Sequence, residues 1–210
     1  MRLGLARRRL AGAARLVVGG AAGPVHRPAL PSGVFPVGLR AGGVALRELG
    51  PGDADAFVRL AGDIRVTHFM KTGPLDRAAA LRALEWKLLR ARFPGRSDYE
   101  LAVDDGGRFA GTVTLHLVGT GTAELAFWLL PEAAGRGVAT DACDVLLRFG
   151  AEQLDVHRVF ATCDAENDRA VALLERLGMV REGYMRDAAR THLGWRDRLL
   201  YARLLDGAGA

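Results

Sequence analysis

The 210-residue sequence predicts a single α/β domain whose mixed, mostly antiparallel sheet has about 6–7 strands and about four helices. Three observations lead there. Between residues 99 and 130 three strand-like runs follow one another, and Asp105, Gly106 and Gly107 form a turn between the first two, the pattern of an antiparallel meander. After Pro131 the order becomes helix, strand, helix, strand, which adds a strand–helix–strand half. A content of 50% hydrophobic and 25% charged residues suits one well-filled core at this length and is short for two.

The body is expected over residues 44–206. Val44 to Leu49 alternate as a strand, and residues 51–62 follow as a short helix started by Pro51 and Asp53. Residues 77–93 form the next helix, stopped by Pro94 and Gly95, before strands at 99–105, 108–118 and 123–130. A helix from the glycine-rich turn to about Gln153 places Val138, Ala142, Val145, Leu146 and Phe149 on one face for burial. A strand at 157–164, a helix at 168–178 closed by Gly178, and strands at 179–187 and 195–205 complete the sheet.

Residues 1–43 read as a basic Gly/Ala/Arg-rich extension, holding nine of the 27 glycines and no sustained period past about residue 18, and are expected to be disordered. Eight arginines and no acid fall within residues 1–47, which leaves 21 basic against 24 acidic residues beyond. That body has no electrostatic footprint for phosphate backbones. For the leader three readings stay open: a solvated tail or a start codon set too far upstream, an export signal at Arg7 to Arg9, and a contact with RNA, ribosome or an anionic surface. The apolar runs fall short of the roughly 20 residues that cross a bilayer, so no membrane partner is expected. Cys143 and Cys163 form no CxxC and have no histidine cluster nearby, so neither a disulfide framework nor a metal is expected, and a reducing cytoplasm fits.

Chemistry concentrates in AELAFWLLPEAAGRGVATDA, residues 123–142, where an apolar strand ends, glycines flank one arginine and a helix begins. Gly135 and Gly137 let consecutive backbone amides approach an anion, and the positive end of the helix reinforces the attraction. A pyrophosphate is the expected ligand. The lysine and hydroxyl of a GxxxxGK[ST] loop are absent, and GxGxxG is not completed. Glycine turns before helices are also often purely structural.

The order strand, GxGxA turn, helix, strand ATCDAEN and helix LERLGMVREG resembles the GCN5-related N-acetyltransferase (GNAT) superfamily across residues 44–206. FWLLPEAAGRGVAT, HRVFATCDAEN, LLERLGMVREG and the tail WRDRLLYARLL are most similar to its ribosomal-protein N-terminal acetyltransferase branch (RimJ/RimL-like). The resemblance implies acetyl-CoA as co-substrate, no metal, and direct attack on the thioester by a primary amine, either a peptide N-terminus or a small molecule. A catalytically impaired acyl-CoA-binding scaffold of the same fold is the alternative, and a monomer or homodimer is expected.

Carried over by position, the resemblance assigns the pyrophosphate to the turn Gly135, Arg136, Gly137, Val138, Ala139 and Thr140. It assigns the pantetheine arm to the backbone of Leu129 and Leu130, where a strand amide would polarise the thioester carbonyl. Asn167 matches the asparagine that contacts the coenzyme, and an N-cap is its plainer role. Two positions depart from the pattern: Ala134 heads the turn in place of a polar or aromatic residue, and Ala170 stands where a serine often protonates the thiolate.

The nucleophile must be a neutral amine. Deprotonation at pH 7 costs about 4–5 kcal/mol for a lysine-like amine and about 1 kcal/mol for a peptide α-amine, so a weak base suffices for the latter. Glu124 is the leading base, against a solvated strand carboxylate. His116 on the neighbouring strand is a second candidate, against a satisfied sheet histidine, and Tyr184 and Tyr201 are candidate proton donors, against core closure. Trp86, Trp128 and Trp195 read as packing residues, the arginines from Arg181 to Arg203 as a solvated strand face, and both cysteines as small apolar fillers.

Overall fold

In the computed structural model, which describes residues 35–205, the sheet starts inside the segment expected to be a disordered extension. Strands β1 (Gly38–Ala41) and β2 (Val44–Glu48) form a hairpin with Ala41 opposite Val44, and Gly42 makes the turn at a φ of +56°. Four residues rich in Gly and Arg are too few to show alternation, yet Val37 just before them is buried in the core. The expected boundary at residue 43/44 therefore moves back to Val37 or earlier. The other expectations for the leader fall on residues 1–34, outside the described residues.

Helices α1 (Ala54–Gly62), the short α2 (Ile64–Thr67) and α3 (Arg77–Ala91) come next. Asp76 caps α3 by accepting from the amide of Ala79 at 2.7 Å. Strands β3 (Asp98–Asp105), β4 (Arg108–Gly119) and β5 (Thr122–Leu129) form the antiparallel meander, turned by Gly106 and Gly107 at φ +58° and +80°. Then follow α4 (Val138–Gln153), β6 (Arg158–Asp164), α5 (Asp168–Arg176), β7 (Val180–Thr191) and β8 (Gly194–Leu204). The eight strands lie in the order β1-β2-β3-β4-β5-β6-β8-β7, and β5 with β6 is the parallel junction. β1 and α2 are the elements the sequence did not predict; both are four residues long.

Alternation divides the sheet into two faces. Val113, Leu115, Ala123 and Leu125 pack in the main core with Val138, Ala142, Val145, Leu146 and Phe149 of α4 and Leu173 and Leu174 of α5. Each such large side chain is worth about 1.5–3 kcal/mol relative to exposure. The opposite face carries Ala102 beneath Phe57 of α1 and Leu84 of α3, a smaller cluster. His116 and Glu124, directly opposed across β4 and β5, belong to that second face. Gly111 of β4 is the close approach between these strands: at φ +150° a Cβ there would stand 2.1 Å from the Trp128 carbonyl oxygen.

Candidate active site

The parallel junction is short. β5 and β6 pair only where Thr122, Ala123 and Glu124 meet Arg158, Val159 and Phe160, yet β5 runs on to Leu129 and β6 to Asp164. The strands part beyond Glu124, and the gap belongs to a cavity of about 1110 Å³. At one end the walls are Gly135, Gly137, Val138, Ala139 and Thr140 with Asn167 and Ala170 of α5; at the other they are Glu124, Trp128, Thr162, Arg198 and the segment from Arg65 to Thr72.

The glycine-turn end is made of main chain. Gly135 and Gly137 sit at φ +77° and +80°, Gly137 N-caps α4, and a Cβ on either would meet no protein atom within 4 Å. The first intrahelical donor of α4 is Asp141, whose amide bonds the Gly137 carbonyl at 3.0 Å. Among the described residues no carbonyl accepts from the amides of Gly135 through Thr140. Unpaired amides at the positive end of a four-turn helix, under a surface kept free of side chains, suit an anion such as a diphosphate. Arg136 is the exception in this run. Its guanidinium bonds Asp105 at 2.7 Å and the Glu132 carbonyl at 3.1 Å, and it does not line the cavity.

Along β5 the two expected leucines divide. The amide of Leu130 is spent on the Ala110 carbonyl at 2.8 Å. Because successive amides of a strand point to opposite sides, those of Phe127 and Leu129 face away from β4, toward the gap. Leu129 therefore offers a free main-chain donor there and Leu130 only its side chain. Asn167 caps α5, its Oδ1 accepting from Ala170 at 3.1 Å, and it also lines the cavity, so its carboxamide nitrogen remains for a ligand.

The four catalytic candidates fall in different places. Glu124 lines the cavity, half-buried, and no group among the described residues bonds its carboxylate. His116 stands opposite it but turns to Asp98, with Nδ1 at 2.5 Å from Oδ1, and Arg90 holds the other oxygen of the same carboxylate. It does not line the cavity. Tyr184 donates its hydroxyl to Asp197 on the exposed side of β7. That bond, with some burial, holds the phenol above its ordinary range and so makes it a poorer proton donor, away from the cavity. Tyr201 is buried and bonds Glu175 at 3.2 Å.

A profile described as an acetyltransferase (GNAT) domain matches residues 44–180. The chain belongs to the GNAT acetyltransferase family. The uncharacterized N-acetyltransferase YnaD of Bacillus subtilis (strain 168) is 30% identical over 86 residues, which are 41% of this chain and 51% of that one. The ribosomal-protein-serine acetyltransferase of Escherichia coli (strain K12) is 28% identical over 85 residues, 40% of this chain and 48% of that one. The chain thus spans about half the length of these curated relatives. A solved structure of Mycobacterium smegmatis RimJ in complex with CoA-disulfide shares the fold, with a TM-score of 0.70 at 22% identity over 83% of this chain and 89% of that one.

In this GNAT chain several cavity residues escape a reading by local motif. Arg196 and Arg198 are not a solvated face. Arg196 holds the buried Asp164 through both carboxylate oxygens at 2.9 and 3.0 Å, and Arg198 donates to the carbonyl and hydroxyl of Thr162 at 3.0 and 3.1 Å. Burial by itself would raise the Asp164 carboxyl; the bonds from Arg196 and from the Glu166 amide outweigh it and hold the group below its usual range. Trp128 lines the cavity, with Lys87 Nζ 5.6 Å from its ring, while Trp86 and Trp195 are exposed rather than packed. Burial pushes the Cys143 thiol up to about 12 and raises that of Cys163 as well, which keeps both unreactive; Cys163 also lines the cavity. Among the described residues no cluster of three metal-ligating side chains occurs, and no helix is long and apolar enough to cross a membrane.

Proposed function

We propose that the chain is an acetyl-CoA-dependent N-acetyltransferase that acts on a primary amine. The observation that carries this reading is the run of amides from Gly135 to Thr140, unclaimed by protein carbonyls, at the mouth of a gap between two parted parallel strands. The coenzyme supplies an acetyl group activated as a thioester. The Gly135–Thr140 amides hold its diphosphate, Asn167 adds a side-chain donor, and the gap-facing amides of Phe127 and Leu129 position the arm and its carbonyl. Arg136 is left out of this set on geometric grounds, since Asp105 engages its guanidinium.

Glu124 is the base. No cation bonds its carboxylate among the described residues, and it stands at the point where β5 and β6 part, whereas Asp168, the other such carboxylate of the lining, starts α5 beside the glycine turn. The amine lone pair forms the new N–C bond while the C–S bond breaks, the nitrogen's proton passes to Glu124, directly or through water, and the departing thiolate is protonated by solvent. Neither Tyr184 nor a residue-170 hydroxyl is available for that last step. Peptide α-amines suit a single carboxylate better than lysine-like amines do, because they require about 1 kcal/mol of deprotonation at pH 7.

Purified protein with acetyl-CoA and a panel of primary amines is expected to release free thiol. Glu124→Gln is expected to lower kcat/KM about 100-fold at pH 7, a deficit that narrows as the pH rises past the acceptor's own pKa. Tight coenzyme binding without thiol release on any acceptor would replace this reading with that of a binding protein.

A further inference from the structure

The acceptor end of the cavity constrains which amine it takes, an inference that rests on the transferase reading. Arg65, Lys71 and Arg198 line that end against Glu124. Arg65 is already neutralised by Asp63 at 2.6 Å, and the other nearby carboxylate, Asp164, has both oxygens occupied by Arg196. Arg198 has no carboxylate hydrogen-bonded to it among the described residues. One nitrogen, Nη2, serves Thr162, and Nη1 and Nε bond no described group.

The anchor fixes where this guanidinium stands. Phe160 pairs with β5, so by alternation the carbonyl of Thr162, two residues on, points to the same side, into the gap. Arg198 reaches that carbonyl from β8. Two residues along a strand and one strand across put the Thr162 backbone at least about 8 Å from that of Glu124, since the strands part beyond that pair, a span of no fewer than two to three extended residues. The cavity thus sets a proton acceptor and an anchored cation a short peptide length apart.

We propose that Arg198 is a specificity-determining residue that receives a carboxylate carried next to the reacting residue of the acceptor, so that peptides with an acidic second residue are favoured and polyamines are rejected. A side-chain carboxylate can accept from Nη1 or Nε, a charge-assisted hydrogen bond that a neutral isostere forms more weakly. A polyamine would bring further ammonium groups against Arg198 and Lys71, a like-charge cost that Glu124, engaged with the reacting amine, does not offset.

The test compares three acceptors at fixed acetyl-CoA: the tripeptides Ala-Glu-Ala and Ala-Gln-Ala, amidated at the C-terminus, and spermidine. In the wild-type protein kcat/KM is expected to be about 10-fold or more higher for the glutamate peptide than for its glutamine isostere, with spermidine slowest. Arg198→Gln is expected to bring the peptide ratio close to one, and Arg198→Lys to leave it between. A wild-type ratio near one, a ratio kept in Arg198→Gln, or spermidine as the best acceptor overturns the assignment while acetyl transfer stands. Turnover of no acceptor overturns acetyl transfer and this inference together. The wild-type ratio needs no variant, so an Arg198→Gln protein that fails to fold still leaves the preference readable.

Discussion

The two ends of the cavity are built from different materials. At the coenzyme end the donors are main-chain amides of consecutive residues, Gly135 to Thr140, and the glycines contribute by having no side chain. At the acceptor end the groups are side chains from β5, β6, β8 and the α2 segment, and two of them are held by partners distant in sequence: Asp164 by Arg196, Arg198 by Thr162. The first kind of site is a local property of backbone shape, and damage to it should show in affinity. The second kind is part of what joins the strands, and damage to it should show in folding.

The largest expected effect tests the second half of that contrast. Asp164 is 2% exposed, and Arg196 supplies its charge partner. Arg196→Ala leaves a buried carboxylate without its cation, a change that typically costs about 3 kcal/mol or more. The pH dependence has a defined sign. In the wild type the folded carboxyl lies below its unfolded value, so its contribution is complete above about pH 4 and is lost as pH falls through the lower, folded value. In the variant burial dominates and moves the folded carboxyl above the unfolded value, so the variant regains stability as it protonates. Urea unfolding should therefore show the full deficit at pH 7 and a smaller one near pH 4.5. A deficit that grew with acid would show that the Arg196 pairing does not govern this carboxyl.

A smaller effect tests the first half. Asn tolerates the left-handed conformation of Gly137, so Gly137→Asn should cost no more than about 1 kcal/mol of stability while placing a side chain in the space that a Cβ would find unoccupied by protein. Calorimetry is expected to show coenzyme A affinity reduced about 10- to 100-fold. Near wild-type affinity would place the diphosphate elsewhere.

The same division explains what could be read in the sequence. The Gly135-x-Gly137 turn, the meander and the apolar stripe of α4 are signals written in neighbouring residues, and their structural counterparts stand where the spacing placed them. Arg198 and Thr162 lie 36 positions apart and Arg196 and Asp164 lie 32 apart, so only the pairing of β6 with β8 brings them together. His116 shows the converse error. Its register opposite Glu124 was inferable, but the competing carboxylate of Asp98 on β3 was not. Strand β1 escaped notice because its signal is the Gly42 turn rather than its own four residues.

Asn167 belongs to both kinds of site at once, which makes it the finest probe of the contrast. Its Oδ1 caps α5 and its nitrogen is free toward the cavity. Asn167→Asp keeps an oxygen for the Ala170 amide, and an acidic N-cap is as good as an amide one, so the thermal midpoint should stay within a degree or two of wild type. The same change replaces a donor with a negative charge beside an anionic ligand, and coenzyme affinity should fall about threefold to tenfold, less so at high salt. Asn167→Ala loses both roles, with about 1 kcal/mol of stability and a comparable loss of affinity. If Asn167→Asp binds coenzyme A as tightly as wild type, the residue is a cap alone, and the coenzyme end is then formed wholly by main chain.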